Sequence, residues 1–189
     1  MLKRAYPYSA QINSCIINGY DDAENIFFQE QYSDIITIEA STWKSHQFVS
    51  VDKSENVIGY FSAGIFQKGH LINSIGTIRF LKDPKYNITF SKDFAEFFEF
   101  LFLYLKYRKI EFGVASVSPN REWYRKYIKK YEGRIIGVLS SHFLLIDNSF
   151  SDYEMYELSR ENFCNNYKKF HSKRYDYCVK KYSLKNGDK

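Results

Sequence analysis

A long helix is predicted over residues 91–109, where apolar positions recur with a helical period. The segment SKDFAEFFEFLFLYLKYRK places large apolar residues at i, i+3, i+4, i+7 and i+11, which puts them on one helix face. The stripe consists of Phe94, Phe97, Phe98, Leu101 and Leu105. Ser91 is the expected N-cap, and Asp93 is the acidic residue expected in the first turn.

Short apolar runs bounded by polar turns predict the strands. In chain order the predicted strands are 46–51, 57–66, 71–80, 110–117, 133–138, 142–146 and 150–158. The first three are separated only by the polar connections DKSEN and QKGH, which predicts an antiparallel meander. The last two are joined by a predicted turn at Asp147-Asn148-Ser149. From residue 57 on, the predicted order is β-β-loop-α-β-α-β-β.

Two further helices are predicted from the pattern. Residues 11–36 are mostly helical in character, with Asp21 and Asp22 placed where a helix N-terminus favours negative charge. Residues 121–131 form a helix with one aromatic and one basic face. The aromatic face carries Tyr124, Tyr127, Ile128 and Tyr131, and the basic face carries Arg125, Lys126, Lys129 and Lys130.

Length and charge indicate one compact domain followed by a basic tail. The chain has 189 residues and a net charge of +5, and its 17 Phe and 17 Tyr exclude disorder for most of it. Residues 158–189 hold nine Lys or Arg against three Asp or Glu, so the rest of the chain is nearly neutral. We therefore expect a single domain over residues 1–158 and a basic, aromatic-rich tail over residues 159–189.

Composition also narrows the cellular setting. No apolar run approaches the roughly 20 residues that a membrane span needs, and the N-terminus lacks the apolar core of a secretory signal. Cys15, Cys164 and Cys178 are odd in number and scattered, which favours a reducing compartment over a disulfide framework or metal site. The expected setting is a soluble protein of the cytoplasm.

The stretch ASVSPNREWYRKYIKKYEGRIIGV, residues 115–138, carries a resemblance to a known family. A strand ends near Asn120, a helix bearing tyrosines follows, and the turn Glu132-Gly133-Arg134 leads into the next strand. Together with the order of elements, this arrangement resembles the GNAT N-acetyltransferases, over about residues 57–158. Within that family, the chain resembles divergent members from phages and prophages of low-GC Gram-positive bacteria. The resemblance implies an α/β (α+β) fold with a mixed, mostly antiparallel central sheet, flanking helices and a basic C-terminal extension.

The resemblance implies acetyl-CoA as co-substrate and a primary amine of unidentified kind as acceptor. The backbone of Thr77–Leu81 would bind the pantetheine arm, with Ile78, Phe80 and Leu81 as named contacts. Asn120 would reach the pantetheine amides or orient the acceptor, although a turn residue or helix N-cap fits its chemistry equally well.

A tyrosine on the 121–131 helix would be the general acid. The family's spacing counted from Asn120 falls on Tyr127, whereas the spacing counted back from Gly133 falls on Ile128. Tyr127 is therefore ranked ahead of Tyr124. The alternative for each tyrosine is an ordinary aromatic residue of the core.

One departure from the family bears on cofactor binding. The family's pyrophosphate loop follows the pattern Arg/Gln-x-x-Gly-x-Gly/Ala, but residues 81–93, LKDPKYNITFSKD, contain no glycine. Ser91, Lys85 and Lys92 are the candidates to replace close amide contacts with a hydroxyl and two charges. Either the loop holds CoA in a modified way, or the fold has lost its cofactor.

Other chemistry has weaker support. Glu39, His46, His70 and Glu111 are the weighed candidates for a general base, and none has a partner that marks it as one. No P-loop, dinucleotide fingerprint or zinc motif is present, so no metal is expected. The tail interleaves lysines with aromatic rings, a composition that suits single-stranded nucleic acid. A solvated terminal helix that packs its aromatic residues on the domain is favoured over nucleic-acid contact. An inactive GNAT-like scaffold that binds protein or nucleic acid for a mobile element is the other alternative, and the oligomeric state stays open.

Overall fold

A computed structural model describes residues 1–20 and 37–186 of the chain. The strands are β1 (Leu2–Arg4), β2 (Ser45–Val51), β3 (Val57–Phe66), β4 (Leu71–Arg79), β5 (Lys109–Ala115), β6 (Arg134–Leu144) and β7 (Phe150–Ser159). The α-helices are α1 (Ser9–Tyr20), α2 (Asn87–Glu99), α3 (Arg121–Lys130), α4 (Arg160–Phe170) and α5 (Ser172–Asn186). Within the described ranges, no helix is long and apolar enough to cross a bilayer.

The strands form one seven-stranded sheet in the order β1-β2-β3-β4-β5-β7-β6. Every neighbouring pair is antiparallel except β4 and β5, which run parallel. The predicted meander of β2, β3 and β4 is confirmed, because short polar turns between adjacent strands force antiparallel pairing. The crossover from β4 to β5 passes through α2, as a parallel pair requires.

The predicted break between strands 133–138 and 142–146 is wrong, since both belong to the single strand β6. Two irregularities interrupt its pairing with β7, one near Gly137 and one between Leu139 and Phe143. Ser141 sits in the second with a positive φ of 49°, and its amide donates to Asp152 Oδ1 at 2.8 Å. The small polar residues there form a bulge instead of a turn. The predicted turn at 147–149 is confirmed, because the Leu145 amide donates to Ser149 O.

Helix α2 starts four residues earlier than predicted, at Asn87, so Ser91 lies in its second turn and is not the N-cap. The Asp83-Pro84 pair sets the start. Pro84 opens a 3-10 turn over Pro84–Tyr86, and the Asp83 carboxylate accepts from the Lys85 amide at 2.9 Å. Proline in a first helical turn loses no hydrogen bond, and an aspartate before it caps the free amides. At its other end α2 continues as a π-helical turn over Phe100–Tyr104.

The predicted apolar stripe of α2 forms the centre of the main core. Phe94, Phe97 and Phe98 are at most 1% exposed and lie against β2, β3 and the helix α3. Gly59 of β3 makes this close approach feasible, because a Cβ at that position would overlap the ring of Phe90. Each buried phenylalanine contributes about 1.5–3 kcal/mol of hydrophobic stabilisation.

The opposite face of the sheet has a second, smaller core beneath α1. Ile12 and Ile16 of α1 pack on Val49, Val51 and Tyr60. The predicted helix over residues 11–36 overlaps α1 at residues 11–20, and its remainder lies outside the described residues.

The C-terminal residues pack against the rest of the domain through their aromatic side chains. Phe163, Tyr167 and Cys178 are nearly fully buried in the main core. The carboxylate of Glu99, at the end of α2, accepts from the Tyr167 hydroxyl and binds Arg174 of α5, whose Nη2 lies 2.6 Å from Oε2. This buried carboxylate therefore fixes α4 and α5 to α2.

Replacing Arg174 with Met should destabilise the protein, because the Glu99 side chain, only 4% exposed, would lose its cation. Breaking a fully buried ion pair costs about 3–5 kcal/mol, but Arg174 is 43% exposed, so we expect a loss of about 1–2 kcal/mol. Urea denaturation measures the change. Lys173→Met is the matched control on the exposed neighbouring position, and an equal loss in both variants would contradict the role of the ion pair.

Candidate functional site

A cleft opens in the sheet where β4 and β5 separate. The two strands pair at a single register point, Ile72 with Ile110, near their N-terminal ends. Beyond it, β5 pairs with β7 only, and β4 with β3 only. The cleft that results has a volume of about 1180 Å³. Its walls come from β4 and β5, from the N-terminal parts of α2 and α3, and from residues of β2, β3, β6 and β7. The cleft lining includes Ser45, Gln47, Tyr60, Ser62, Gly64, Ser74, Gly76, Thr77, Ile78, Arg79, Lys82, Asn87, Phe90, Ser91, Gly113, Asn120, Trp123, Tyr124, Phe143 and Tyr153.

Asn120 spans the cleft. It occupies the N-cap position of α3, as the sequence suggested, but its side chain makes no capping hydrogen bond. Instead its Nδ2 donates to the carbonyl oxygen of Thr77 on β4 at 3.4 Å. The turn before it is held by Ser118, whose Oγ accepts from the Asn120 amide. The side-chain amide is thus directed at a backbone group of β4 that has no strand partner on the β5 side.

The glycine-free loop after β4 is organised by Arg79. Its guanidinium donates to three successive carbonyl groups, Leu81 O at 2.8 Å, Lys82 O at 2.6 Å and Asp83 O at 3.2 Å. A planar guanidinium with several fixed donors can satisfy converging carbonyls in a way that lysine cannot. Arg79 also occupies the first position of the family's Arg/Gln-x-x-Gly-x-Gly/Ala pattern, with Lys82 and Pro84 at the glycine positions. This match was not predicted, although an arginine at the end of a predicted strand could have indicated it.

The loop fits a phosphate-bearing ligand through side chains more than through amides. The Phe80 and Leu81 amides both donate to Ile58 O, and the Lys85 amide donates to Asp83. The Asp83 carboxylate also binds Lys85 Nζ at 3.0 Å, so the positive charge of Lys85 is balanced by Asp83. Arg79 and Lys82 are the cations among the described residues of the cleft lining, and they lie beside the N-terminus of α2, where the helix dipole also favours anions.

The structure separates the two tyrosines proposed as the general acid. Tyr124 lines the cleft, with its ring packed edge-on to Phe112 of β5. Tyr127 lies outside the cleft, in a side groove of about 430 Å³ between α2, α3 and α5 that also contains Glu99 and Tyr131. Its hydroxyl is fully buried with no hydrogen-bond partner among the described residues, and burial raises its pKa well above 10. Of the two, Tyr124 is the one in the cleft lining, although it is only 2% exposed, and the role of either tyrosine as the acid stays a prediction.

The predicted cofactor contacts divide in the same way. Ile78, Ser91 and Asn120 line the cleft. Lys92 lies in the side groove. Phe80 packs in the smaller core, and the amides of Phe80 and Leu81 are occupied, so these two residues do not offer the free backbone groups that were predicted.

The candidates for a general base all lie outside the cleft lining. His46 is buried against Tyr107, with Nε2 2.9 Å from the hydroxyl, and burial lowers its pKa to about 4. Glu111 is ion-paired with Lys109. Among the residues that the structure describes, no group of three His, Cys, Asp or Glu side chains is arranged to hold a metal ion.

Helix α3 is fixed to the sheet by a buried carboxylate. Glu154 of β7 is 1% exposed and accepts hydrogen bonds from Arg121 and Arg125 of α3, with Arg125 Nε at 2.7 Å. The Tyr156 hydroxyl donates to it at 2.6 Å. The bond with Arg125 is the largest cause of its low pKa of about 2. This network sets the position of the α3 N-terminus, and with it Asn120 and Tyr124.

Comparison with known proteins identifies the fold. No protein-family profile matches the sequence, and no curated protein sequence matches it. Solved structures do match. A chimera of spermidine N-acetyltransferase SpeG from Vibrio cholerae and hSSAT superposes with a TM-score of 0.61 and 17% identity, covering 87% of this chain and 99% of that one. A GCN5-related N-acetyltransferase from Brucella melitensis gives a TM-score of 0.62 and 16% identity, covering 90% and 80%.

The chain therefore has the GNAT acetyltransferase fold, and the predicted fold class is confirmed. A further SpeG structure from Vibrio cholerae agrees, with a TM-score of 0.59, 16% identity and coverage of 86% and 96%. At these identities the likeness defines the fold alone.

Acid should destabilise the protein through Glu154. Its pKa is about 2 in the folded state against an ordinary value of 4.5, so its stabilisation is complete above pH 4.5 and is lost as the pH falls toward 2. Glu154→Gln should lower stability at pH 7 and flatten the stability profile between pH 5 and pH 2, as measured by urea denaturation across that range. Glu161→Gln, an exposed glutamate, is the control. A profile as steep in Glu154→Gln as in the unmodified protein would refute the assignment.

Proposed function

We propose that the protein is an acetyl-CoA-dependent N-acetyltransferase that acts on a primary amine. The observation that carries the proposal is the open cleft between β4 and β5, with Asn120 and Tyr124 on one side and the Arg79 loop at its end. The described residues leave this cleft unfilled by large side chains, which an inactive scaffold would not require. The nucleic-acid alternative loses support because Tyr167, one of the tail's aromatic residues, is buried in the core.

The cleft offers distinct surfaces for the two ends of the donor. Arg79, Lys82 and Ser91 would hold the pyrophosphate with charge and a hydroxyl, in place of the loop amides that glycines normally present. The edge of β4 at Thr77, whose carbonyl accepts from Asn120, would hold the pantetheine arm. When an amide of the pantetheine arm replaces the Asn120 side chain as the donor, the Thr77 carbonyl stays hydrogen-bonded. Breaking the Asn120 contact therefore costs little free energy.

The donor supplies an activated thioester, and the chain supplies position and a proton. We assign Tyr124 as the general acid that protonates the departing sulfur, because it is the tyrosine of α3 that lines the cleft. Asn120 positions the acceptor or the arm from the opposite side of the opening. The described lining contains no carboxylate or imidazole, so in this proposal the amine loses its proton to solvent.

Isothermal titration with CoA tests the donor site and the role of Arg79. The unmodified protein should bind CoA, and Arg79→Lys should bind it about tenfold more weakly, because lysine cannot hold three loop carbonyls together. Arg134→Lys, an exposed arginine on β6, is the matched control and should bind normally. Absence of CoA binding by the unmodified protein at millimolar concentration would overturn the proposed function.

The two tyrosines give opposite expectations on substitution. Tyr124→Phe should lower turnover about 100-fold with CoA affinity unchanged, since it removes only the proton donor. Tyr127→Phe should retain turnover and should keep or raise the melting temperature, because it removes a buried hydroxyl without a partner. Turnover is measured through the release of CoA, whose free thiol is detected. Full activity in Tyr124→Phe, or a loss confined to Tyr127→Phe, would assign the acid differently.

A further inference from the structure

A polar surface covers part of the sheet face that borders the cleft. Six small or polar residues on β2, β3 and β4 alternate along their strands, so all lie on the same face. We call this surface the hydroxyl floor, and it consists of Ser45, Gln47, Ser62, Gly64, Ser74 and Gly76. The strand register arranges it in two rows. Gly64 pairs with Ser45 on one side and Ser74 on the other, and Ser62 pairs with Gln47 and Gly76.

Two glycines keep the floor flat. A Cβ built on Gly76 would overlap Ser62 Oγ, and a Cβ built on Gly64 would overlap Ser74 Oγ. Each serine hydroxyl therefore lies over the glycine of the neighbouring strand and occupies the space that a side chain would fill. Among the residues that the structure describes, the outcome is a shallow surface of hydroxyl groups that borders the cleft.

The floor is not part of the packed core. The next row on the same face, Val49, Tyr60 and Ile78, is apolar and packs in the smaller core beneath α1. The face thus changes from apolar to polar within one row. A sheet face that is built to receive a helix stays apolar, so the polar rows point to a ligand in the cleft.

The surroundings of the floor define the chemistry of that ligand. Phe143 and Tyr153 line the same cleft, and Gly113 leaves room for the Tyr153 ring on the cleft wall. The charged residues in the described lining, Arg79 and Lys82, both belong to the loop end. Hydroxyl groups donate and accept hydrogen bonds, which suits a ligand that bears hydroxyls of its own. A polycation would be desolvated there without a carboxylate from the described lining to compensate.

We infer that the acceptor is a polyhydroxylated primary amine of the amino-sugar class, with a single amino group, bound on the hydroxyl floor. The inference rests on the proposed function, because it names the acceptor of the same cleft. It separates this chain from the spermidine N-acetyltransferases that share its fold. In this arrangement the serine hydroxyls of the floor bind the sugar hydroxyls, and the aromatic wall contacts the ring. The Gln47 amide takes no part, because its Nε2 donates to Thr37 O and its Oε1 accepts from the Glu39 amide.

Binding of glucosamine and of spermidine to the unmodified full-length protein tests the inference by calorimetry, with and without saturating CoA. Glucosamine should bind at least about tenfold more tightly than spermidine. Mass spectrometry after addition of acetyl-CoA should show N-acetylated glucosamine as the product. Equal or tighter binding of spermidine would overturn the inference. Failure of CoA itself to bind would overturn the proposed function, whereas the glucosamine titration without CoA still decides the inference.

Gly76→Ala provides the sharper variant. The added methyl group meets only the Ser62 side chain, which can rotate away, so the fold should be retained and the hydroxyl displaced. We expect about tenfold weaker glucosamine binding with unchanged CoA affinity and melting temperature. Gly137→Ala is the matched control, since a Cβ there meets nothing within 4 Å. Identical glucosamine affinities in the two variants would refute the floor as the acceptor site.

Discussion

The separation of β4 from β5 is the constraint on which the rest of the structure depends. A parallel pair normally satisfies its backbone groups along its whole length, but here the pairing stops after Ile72 and Ile110. The parted strands stay apart because each is held by another element. The phenylalanines of α2 hold the β2–β4 half, and β7 holds β5 through a continuous register. The opening leaves backbone groups of β4 and β5 without a strand partner. One of them, Thr77 O, accepts a hydrogen bond from the Asn120 side chain instead.

Two ion-pair networks keep the helices that border this opening in place. Glu154 fixes the start of α3 to β7, and Glu99 fixes the end of α2 to α5. Both carboxylates are buried and each accepts from an arginine and a tyrosine hydroxyl. Since the removal of one partner from such a network leaves a buried charge, the networks favour one arrangement of the helices over slightly shifted ones. The cleft residues of α3 depend on that precision, because Asn120 and Tyr124 lie within one turn of its N-terminus.

The sequence predicted most elements because their determinants are local. Strand β3 was predicted with its observed bounds, Val57–Phe66, because polar turns mark both of its ends. The start of α2 was missed because Ser91 resembles a cap, whereas Asp83 and Pro84 together begin the 3-10 turn that leads into α2. The Ser-Ser pair in β6 resembles a turn, and only its pairing with β7 makes it a bulge.

The site was harder to predict, because it depends on contacts between distant residues. Tyr124 and Tyr127 share a helix face and are separated by about 4.5 Å along the axis, so periodicity cannot distinguish them. Arg79 had a match to the family pattern, but its three carbonyl partners appear only in the folded loop. No local sequence pattern predicted the hydroxyl floor. Serine and glycine weaken a strand prediction, and their significance comes from register across three strands.

The two faces of the sheet therefore have different roles. The face toward α2 is closed by aromatic packing and provides stability, and its residues are fixed by the demands of a dense core. The other face is apolar only beneath α1 and then becomes a polar floor open to the cleft. Substitutions on the polar rows leave the aromatic core unchanged. The fold therefore depends on the face toward α2, which agrees with its retention at 16–17% identity to the solved structures.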